Sequence, residues 1–330
     1  MGEIAFPAWD PVFLDLWGPV DLRYYGLMYV VGFVAGQYIL ARLARRGFLP
    51  IPEEKVGDLI FALILGVILG GRIGYSLFYK PEIWGNPLQV FKIWEGGLSF
   101  HGGLLGVIVA CLSFCRKHRI PSLRVCDCMA LAGCPGIFAV RIANFINGEL
   151  YGRIIRPGDW EPPWAMRFPT DAKVQQYFNF QPGMGNRERE LEVLKAMEDG
   201  RWEQQISKFA PLRHPSQIYE AVTEGLILGL VLWFAYRRGC AKNTNPGAGA
   251  YAGIFLIGYG VLRFGIEFFR EPDDHFEKDA DGLGTIVLGL SMGQLLCSAM
   301  ILIGSWMLFR SGRSGPGTQG NNQAREMNRG

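Results

Sequence analysis

Apolar stretches long enough to cross a membrane alternate with short basic stretches along the chain. A helix needs roughly 20 mostly apolar residues to span the hydrocarbon core of a bilayer, and seven windows of the sequence meet this requirement. They lie at about 24–42, 56–79, 98–115, 129–147, 216–236, 250–269 and 283–309. The pattern therefore predicts an all-α polytopic membrane protein with seven transmembrane helices.

Composition excludes the main soluble alternatives. Hydrophobic residues make up 49% of the 330 residues and charged residues only 19%, which leaves too little polar surface for a single soluble globule. An intrinsically disordered chain and a coiled coil are excluded for the same reason. The net charge of +3 does not indicate a nucleic-acid partner, because the basic residues lie in loops between the apolar windows.

The distribution of lysine and arginine predicts the orientation of the helices. Cytoplasmic loops of membrane proteins carry an excess of these residues, and here the basic positions follow the first, third, fifth and last windows. They are Arg42, Arg45, Arg46 and Lys55; Arg116, Lys117, Arg119 and Arg124; Arg237, Arg238 and Lys242; and Arg310, Arg313, Arg325 and Arg329. We therefore expect the N-terminus outside, in the periplasm, and the C-terminus in the cytoplasm.

The connections between the windows predict how the chain is divided. The expected parts are an outer interfacial segment at 1–23, helices one to four at 24–147 with an interfacial arm at about 80–97, a periplasmic head at 148–213, helices five to seven at 214–309, and a disordered cytoplasmic tail at 310–330. In the head, a charged stretch from about 187 to 209 carries apolar residues at helical spacing, which predicts a helix. These apolar positions are Leu191, Leu194, Met197, Trp202 and Ile206.

Cysteine usage and short motifs predict no disulfide, metal or cofactor. All seven cysteines fall inside the apolar windows or in predicted cytoplasmic connections, where disulfides do not persist. Cys126 and Cys128 lack the second pair or the histidine cluster that would complete a metal site. The sequence contains no P-loop spacing, no His-x-x-x-His pair and no Gly-x-Ser-x-Gly elbow, so a nucleotide, a zinc ion or a serine nucleophile is not expected.

Ionisable residues inside the apolar windows are a functional signal, because charges within a membrane are costly. They are Arg72, His101, Arg141, Glu220, Glu224, Arg263 and Glu267, with Glu149, His214 and Arg270 at window ends. Under the predicted orientation they converge on one level in the outer leaflet. For Arg72 and Glu224 taken singly, a snorkelling or salt-bridged structural charge is an equal alternative. That alternative fails for the whole set, since snorkelling anchors need not gather in one leaflet.

Arginine and histidine in this set indicate the chemistry of the site. The planar arginine fork matches phosphate oxygens, so arginines at outer-leaflet depth fit a phospholipid headgroup. His101 is followed by Gly102 and Gly103, which allow a ligand to approach closely, although helix–helix packing also explains glycines at such positions. A neutral imidazole there can act as a general base.

Several motifs resemble those of prolipoprotein diacylglyceryl transferases. The most specific is the run RIANFINGELYG at 141–152. The others are HGGLLG at 101–106, RHPSQIYE at 213–220, YGVLR at 259–263 continuing to EFFREPD at 267–273, and YYGLMY at 24–29. Val140 departs from the pattern, because the signature has glycine before the arginine; local packing rather than chemistry is affected.

The resemblance implies a multi-pass enzyme of the bacterial cytoplasmic (inner) membrane, with its active site facing the outer leaflet. Such enzymes transfer the diacylglyceryl group of phosphatidylglycerol to the lipobox cysteine thiol of a prolipoprotein. The transfer forms a thioether and releases glycerol phosphate, and it is the first step of bacterial lipoprotein maturation. The resemblance implies no cofactor.

The resemblance also assigns roles to individual residues. The implied catalytic residues are Arg141 and Arg263, which stabilise charge on the departing phosphate, and His101, the candidate base for the thiol proton. In an alternative account, water or phosphate removes the proton and His101 binds substrate. Expected substrate contacts are Tyr25, Gly102, Gly103, Asn144, Asn147, Glu149, Gly152 and Tyr259, and expected supporting residues are Arg72, His214, Glu267 and Arg270. Glu267 and Arg270, at i and i+3, are expected to form a pair.

An anion or lipid transporter that uses the same arginines is the alternative function. A transporter needs access to both membrane faces, and the cytoplasmic half of the windows offers few charged residues for a path. Flux without any thiol acceptor would favour this alternative. A purely structural scaffold leaves the arginines inside the windows unexplained.

Overall fold

The computed structural model describes residues 4–17, 20–85, 89, 97–178, 180–242, 244, 246–271, 285–287 and 289–313. The chain divides into two compact units. The first comprises Met1–Gly32, Gly133–Ala235 and Gly253–Trp306, and the second comprises Phe33–Ala132, Tyr236–Ala252 and Met307–Gly330. The segment that the sequence predicts as a head therefore belongs to the first unit.

Long apolar helices dominate the described part of the chain. They are α1 (Tyr24–Arg45), α2 (Val56–Phe78), α3 (Phe100–His118), α4 (Ser122–Ile146), α6 (Ser216–Ala241), α7 (Ala250–Ile266) and α8 (Met292–Arg313), with the polar helix α5 (Asn186–Glu198) between α4 and α6. Among the described residues, six helices are long and apolar enough to cross a membrane, and α7 is apolar but has 17 residues. The prediction of a polytopic membrane protein built from apolar helices is confirmed.

Two short antiparallel hairpins interrupt the helical pattern. β1 (Val12–Trp17) pairs with β2 (Val20–Arg23), and β3 (Thr285–Val287) pairs with β4 (Leu290–Ser291). The sequence predicts helix from about residue 283, and this start is wrong. The apolar residues from 285 onwards form the second hairpin, so α8 begins only at Met292.

Glycines on α2 and α3 bring the two helices into close backbone contact within the second unit. A Cβ atom added to Gly70 would lie 2.8 Å from the Cα of Gly106, and one added to Gly74 would lie 2.8 Å from the Cα of Gly102. Small residues at four-residue spacing let helix backbones approach in this way. The packing fixes the start of α3, where His101 lies.

Phe6, near the start of the chain, packs into the hydrophobic core of the head. Phe6 is 6% exposed, and its ring lies 5.4 Å from that of Phe145 and 5.2 Å from that of Phe168. The core is formed by Phe6, Phe145, Met166, Phe168, Val174, Phe178, Ala196, Met197, Trp202, Ile206 and Ala210. The prediction of an interfacial segment at 1–23 therefore misses a structural role of this segment in the head.

The helix predicted from about 187 to 209 is shorter than expected. α5 ends at Glu198, and separate helical turns follow at Trp202–Ile206 and Ser207–Phe209. Met197, Trp202 and Ile206 are buried in the core, whereas Leu191 is 43% exposed. Gly200 has a φ of +80°, a left-handed conformation that glycine adopts without strain and that ends the helix.

Asp127 of α4 anchors the start of α7 within the second unit. Its carboxylate accepts hydrogen bonds from the backbone N–H groups of Gly249 at 2.8 Å and Ala252 at 2.9 Å. Its side chain is fully buried and lies 3.3 Å from Arg124. Since the first N–H groups of a helix have no partner within the helix, this carboxylate satisfies them and fixes where α7 begins.

Some sequence predictions fall on segments that the structure leaves undescribed. In the predicted interfacial arm at about 80–97, Pro81–Gly85 forms a helical turn, and residues 86–88 and 90–96 lie outside the described residues. Residues 272–284, which include the end of the motif at 267–273, also lie outside them. The predicted tail begins at residue 310, yet α8 continues to Arg313, and residues 314–330 lie outside the described part.

Candidate functional site

Arg141, near the end of α4, forms an ion pair with Glu220 of α6 in the first unit. The Arg141 Nε lies 2.7 Å from Oε2 of Glu220, and the two side chains are 19% and 1% exposed. Removing a buried carboxylate from water is costly unless a positive charge lies beside it. The pair therefore ties the position of the Arg141 guanidinium to α6.

Arg263 of α7 is the second guanidinium of this site. Its Nη2 lies 2.9 Å from Oε2 of Glu267, and its Nη1 is buried without a hydrogen-bond partner among the described residues. Glu267 also accepts a hydrogen bond of 2.9 Å from the Ser291 hydroxyl. Arg263 and Arg141 are electrostatic neighbours of each other and of Glu220. Two guanidinium groups from different helices thus lie around the same buried carboxylate.

Glu224 lies one helical turn beyond Glu220 on α6 and faces the same guanidinium groups. Its side chain is 0% exposed. The Tyr259 hydroxyl of α7 is its neighbour, but neither carboxylate oxygen has a partner in hydrogen-bond geometry. We refer to Arg141, Glu220, Glu224 and Arg263 as the arginine–carboxylate cluster.

The segment of α6 that carries Glu224 departs from regular α-helix. Residues Ala221–Ile227 adopt π-helical geometry between regular turns at Ser216–Glu220 and Leu228–Ala241. π-Helical turns inside α-helices frequently mark functional sites, because the extra residue changes which side chains face a given neighbour. Here the turn begins directly after Glu220 and contains Glu224.

The loop that follows α4 is organised around Glu149. Its Oε1 accepts a hydrogen bond of 2.9 Å from the amide Nδ2 of Asn144 and one of 3.1 Å from the amide Nδ2 of Asn147. The two asparagines hold Glu149, and their own Oδ1 atoms are buried without a partner in the protein. Tyr25 of α1 is an electrostatic neighbour of both Glu149 and Arg141. The predicted contact residues Tyr25, Asn144, Asn147 and Glu149 therefore lie together with Arg141.

The first residues of α6 and His214 just before it hold this loop through hydrogen bonds with its backbone. The Gln217 amide donates to the carbonyl of Glu149 at 2.7 Å, and the Ser216 hydroxyl donates to the carbonyl of Leu150 at 3.1 Å. The N–H of Gly152 donates to the carbonyl of His214 at 2.8 Å. A side chain at Gly152 would collide with this carbonyl, 2.6 Å from the added Cβ, and with the carbonyl of Phe269.

Arg213 is a buried arginine that the sequence analysis leaves out of the site. It is 4% exposed, and its Nε lies 2.5 Å from Oδ2 of Asp171. Its Nη1 donates to the carbonyl of Gly152 and to Oε2 of Glu271, each at 3.0 Å. Its guanidinium also lies 4.6 Å from the ring centre of Tyr151. Arg213 therefore joins the head to the loop after α4 and to the end of the α7 segment.

His214 faces aromatic residues. Its Nδ1 lies 3.1 Å from the Tyr219 hydroxyl, which accepts a hydrogen bond of 2.8 Å from Trp164 Nε1. Its ring lies 5.1 Å from that of Phe269. Burial lowers the pKa of the His214 imidazole below its usual value of 6.5. These contacts give His214 a part in holding the head near the start of α6.

Glu267, the residue directly after α7, forms an ion pair with Arg263, and the pair of Glu267 with Arg270 stays a prediction. Glu267 is four residues after Arg263, on the same helical face, and pairs with it. α7 ends at Ile266, so Arg270 does not continue the helical spacing on which the prediction depended. The backbone of Arg270 forms an antiparallel bridge with Gly152.

His101 belongs to the second unit, at the beginning of α3. Its side chain is exposed, and its ring lies 5.6 Å from that of Phe100 at an angle of 81°. Ser99 caps the helix by accepting a hydrogen bond of 3.3 Å from the N–H of Gly102. Gly102 packs against α2, and Gly103 is buried beside Val67.

Arg72 of α2 holds the segment that precedes α3. It is 7% exposed, and it donates to the carbonyl of Gly97 at 3.1 Å and to that of Gln89 at 2.7 Å. Gly97 has a φ of +83°, and the ring of Tyr75 fills the space where a side chain would lie. Arg72 therefore supports the position of the helix start that carries His101.

Glu220 is the principal site residue missed from the sequence. Glu220 is an ionisable residue inside an apolar window and the last position of the motif at 213–220. The sequence alone gives it no specific role. Arg141 and Arg263 indicate that carboxylates lie near them, because buried cations in a membrane require anionic partners. Glu220 and Glu224 are four residues apart and therefore lie on one helical face.

The cluster can bind a phosphate and stabilise charge on it. Two guanidinium groups supply directional donors in a region of low exposure, where electrostatic interactions are stronger than in water. Within the described residues, no group of three histidine, cysteine, aspartate or glutamate side chains is arranged to hold a metal ion. The side chains around the cluster are arginine, carboxylate, amide and phenol groups.

Comparison with known proteins identifies close similarity over almost the whole chain. A family model described as prolipoprotein diacylglyceryl transferase matches residues 11–310. The chain is 42% identical over 317 residues to the phosphatidylglycerol–prolipoprotein diacylglyceryl transferase of Erwinia tasmaniensis, covering 96% of both chains. It is 42% identical over 313 residues to the enzyme of the same name from Idiomarina loihiensis, covering 94% of this chain and 96% of that one. The enzyme of that name from Paraburkholderia phymatum is 41% identical over 322 residues, with 93% and 96% covered.

Proposed function

The chain belongs to the prolipoprotein diacylglyceryl transferase family, and from this membership we propose that the arginine–carboxylate cluster is its active site. The protein is a membrane-embedded transferase of lipoprotein biosynthesis. Its substrates are phosphatidylglycerol and a prolipoprotein. The reaction moves the diacylglyceryl group onto the thiol of the lipobox cysteine and releases glycerol phosphate.

The observation that carries the proposal is the arrangement of Arg141 and Arg263 around Glu220. The guanidinium groups come from α4 and α7, and both are mostly buried, with side chains 19% and 11% exposed. Arginine binds phosphate oxygens with two parallel N–H donors. A phosphate between the two groups has its developing charge stabilised by donors that are already in position.

The chemical step is a displacement at a glycerol carbon. The thiolate sulfur attacks the carbon that carries the phosphate ester, a C–S bond forms, and the C–O bond breaks with its electron pair moving to the phosphate oxygen. A thiolate is a far better nucleophile than a thiol. The two arginines act on the leaving group, because that is where negative charge accumulates.

His101 is the proposed base for the thiol proton. An exposed imidazole at a helix start offers a ring nitrogen that can take the thiol proton in general base catalysis. In the alternative account, the proton leaves through water or phosphate and His101 binds substrate. A change in the pH profile separates a base from a binding residue.

The remaining predicted contacts are proposed to hold the substrate rather than to react. Glu149, held by Asn144 and Asn147, is an acceptor for the glycerol hydroxyls of the headgroup. The hydroxyls of Tyr25 and Tyr259 donate to the ester or phosphate oxygens, while their rings face lipid. Gly102, Gly103 and Gly152 allow backbone to approach closely, and Arg72, His214, Glu267 and Arg270 support these positions.

The proposed arrangement in the membrane has seven spans, with the N-terminus outside and the C-terminus in the cytoplasm. The excess of basic residues in alternate connections supports this orientation. α7, with 17 residues, is about 25 Å long, close to the roughly 30 Å of a hydrocarbon core. The membrane is the cytoplasmic membrane, and the cluster faces its outer leaflet. The similarity to named transferases does not favour the transporter alternative.

Mass spectrometry of a lipobox peptide tests the proposed function. Purified protein is incubated with phosphatidylglycerol vesicles and the peptide, and a diacylglyceryl adduct on the cysteine is the expected product. Arg141→Ala is expected to lower turnover by about 100-fold or more. The matched control Arg156→Ala, at an exposed position of the head, is expected to retain turnover. Full activity of Arg141→Ala would remove Arg141 from the active site.

A further inference from the structure

Glu224 is a buried acid to which the reaction described so far gives no function. It is 0% exposed, the Tyr259 hydroxyl is its neighbour, and among the described residues neither carboxylate oxygen has a partner in good hydrogen-bond geometry. Burying a carboxylate anion without hydrogen bonds is costly, and a buried acid in such a place is stabilised when it carries a proton. The protonation state of Glu224 is therefore a central property of this site.

The carboxylates of this site outnumber its arginines by one before a substrate is present. Arg141 and Arg263 are matched by Glu220 and Glu224, and Glu267, paired with Arg263 at 2.9 Å, adds a further carboxylate. A phosphodiester brings one more negative charge into this weakly exposed region. An excess of buried negative charge costs several kcal/mol per ion, so binding of an anionic lipid favours uptake of a proton.

Glu224 is the carboxyl group best suited to take this proton. Glu220 lies 2.7 Å from Arg141, and Glu267 has both Arg263 and the Ser291 hydroxyl as partners. Each of these two acids therefore has an arginine within ion-pair distance. The titratable and charged groups that face Glu224 are Glu220 on its own helix, Arg141 on α4, Tyr259 and Arg263 on α7, and Cys297 on α8.

We propose that Glu224 takes up a proton when phosphatidylglycerol binds and donates it to the departing phosphate oxygen, acting as the general acid of the reaction. The proposal rests on the proposed function of the cluster. Its basis is a fully buried acid that has both proposed phosphate-binding arginines as neighbours and that lies on a π-helical turn, four residues after Glu220.

The step balances without any additional reactant. The C–O bond breaks with its electron pair on the phosphate oxygen, and the proton of Glu224 moves to that oxygen, so that glycerol phosphate leaves as a monoanion. The thiol proton passes to the base and then to water. Glu224 is left as a carboxylate and is protonated again from water when the next phosphatidylglycerol binds.

Infrared difference spectroscopy of phosphatidylglycerol binding tests the proposal, with Glu224→Gln as the main variant. Addition of the lipid to the wild-type protein is expected to produce the C=O stretching band of a protonated carboxyl group, and this band is expected to be missing in Glu224→Gln. The matched variant Glu220→Gln is expected to keep the band. Absence of the C=O band in the wild-type protein, or persistence of this band in Glu224→Gln, would overturn the proposal.

Affinity and turnover provide the second measurement. In the alkaline range, the affinity of the wild-type protein for phosphatidylglycerol is expected to fall about tenfold per pH unit, as for binding linked to one proton. Glu224→Gln resembles the protonated acid, so its affinity is expected to be independent of pH while its turnover falls by about 100-fold or more. A purely structural role predicts weaker lipid binding at every pH and contradicts the proposal.

The wild-type protein alone keeps the proposal testable if the variant does not fold. A pH indicator dye in weakly buffered suspension measures proton uptake when phosphatidylglycerol is added, and absence of uptake overturns the proposal. The proposed function fails in a different way, through absence of a diacylglyceryl adduct on the peptide with wild-type protein. The two failures are therefore distinguishable.

Discussion

Arg141 and Glu220 form an ion pair in which Nε of the arginine lies 2.7 Å from a carboxylate oxygen that is almost completely buried. Arginine has five N–H donors in a planar fork, and Glu220 lies on the Nε side of this fork. The remaining donors of the fork lie on the two Nη atoms, which match a phosphate in geometry. Glu220 therefore orients the arginine without occupying the donors that the proposed reaction needs.

Arg213 is expected to be the main determinant of stability in the head. Replacing it by leucine leaves Asp171, 1% exposed, without its cation, and loss of one partner of a buried pair costs about 3–5 kcal/mol. We expect a clearly lower unfolding temperature for Arg213→Leu in detergent. Arg201→Leu, which removes an arginine from partly exposed pairs with Asp199 and Glu192, is the control and should change the transition much less. Equal shifts in the two variants would contradict the role of Arg213.

Gly152 is expected to tolerate no side chain. An added Cβ lies 2.6 Å from the carbonyl oxygen of His214 and collides with that of Phe269, so Gly152→Ala must displace the backbone that holds the loop after α4. We expect turnover to fall strongly, as measured by peptide lipidation, with a lower unfolding temperature. Gly133→Ala in α4, where an added Cβ meets nothing within 4 Å, is the control and should be neutral or slightly stabilising. Normal turnover of Gly152→Ala would show that the loop geometry is not critical.

His214 is expected to make the stability of the protein depend on pH on the acidic side of neutrality. Because burial lowers its pKa in the folded state below 6.5, the unfolded chain binds the proton more readily. Stability is therefore fully present above about pH 6.5 and decreases as the pH falls from there towards the lower folded pKa. Unfolding temperatures measured across this range should show a smaller decrease for His214→Asn. An identical pH dependence in both proteins would assign the effect to other groups.

His101→Gln is expected to separate a base from a binding residue. Loss of a general base lowers kcat by roughly 100-fold or more and changes the pH profile of kcat/KM. A binding role instead raises KM for phosphatidylglycerol and leaves the shape of the profile unchanged. His118→Gln, at the other end of α3, is the matched control. Unaltered kinetics of His101→Gln would exclude both roles.

The helices of the fold can be predicted from the sequence because the membrane imposes a length and an apolar composition on each span. The start of α8 cannot be predicted in this way, because the apolar residues at 285–291 satisfy the same pattern whether they form a helix or a hairpin. The sequence around Phe6 also does not predict that this residue lies in the core of the head. Its place in the core depends on contacts with Phe145 and Phe168, which are far away in the chain.

The arginines of the site can be predicted because charge inside an apolar window is rare and has few explanations. Which carboxylate pairs with which arginine cannot be predicted, because pairing between helices depends on how each helix is rotated about its axis. For this reason the sequence does not identify Glu220 as the partner of Arg141, and it does not choose between Arg263 and Arg270 as a partner of Glu267. The π-helical turn in α6 changes the face of the helix on which later residues lie. No local sequence pattern predicts this turn.

The structure of the protein bound to phosphatidylglycerol tests the central claim most directly. The account predicts that the lipid phosphate lies between α4 and α7, with oxygen atoms about 2.7–2.9 Å from the guanidinium nitrogens of both Arg141 and Arg263. A phosphate held by only one of these arginines, or bound at another place on the protein, would contradict it.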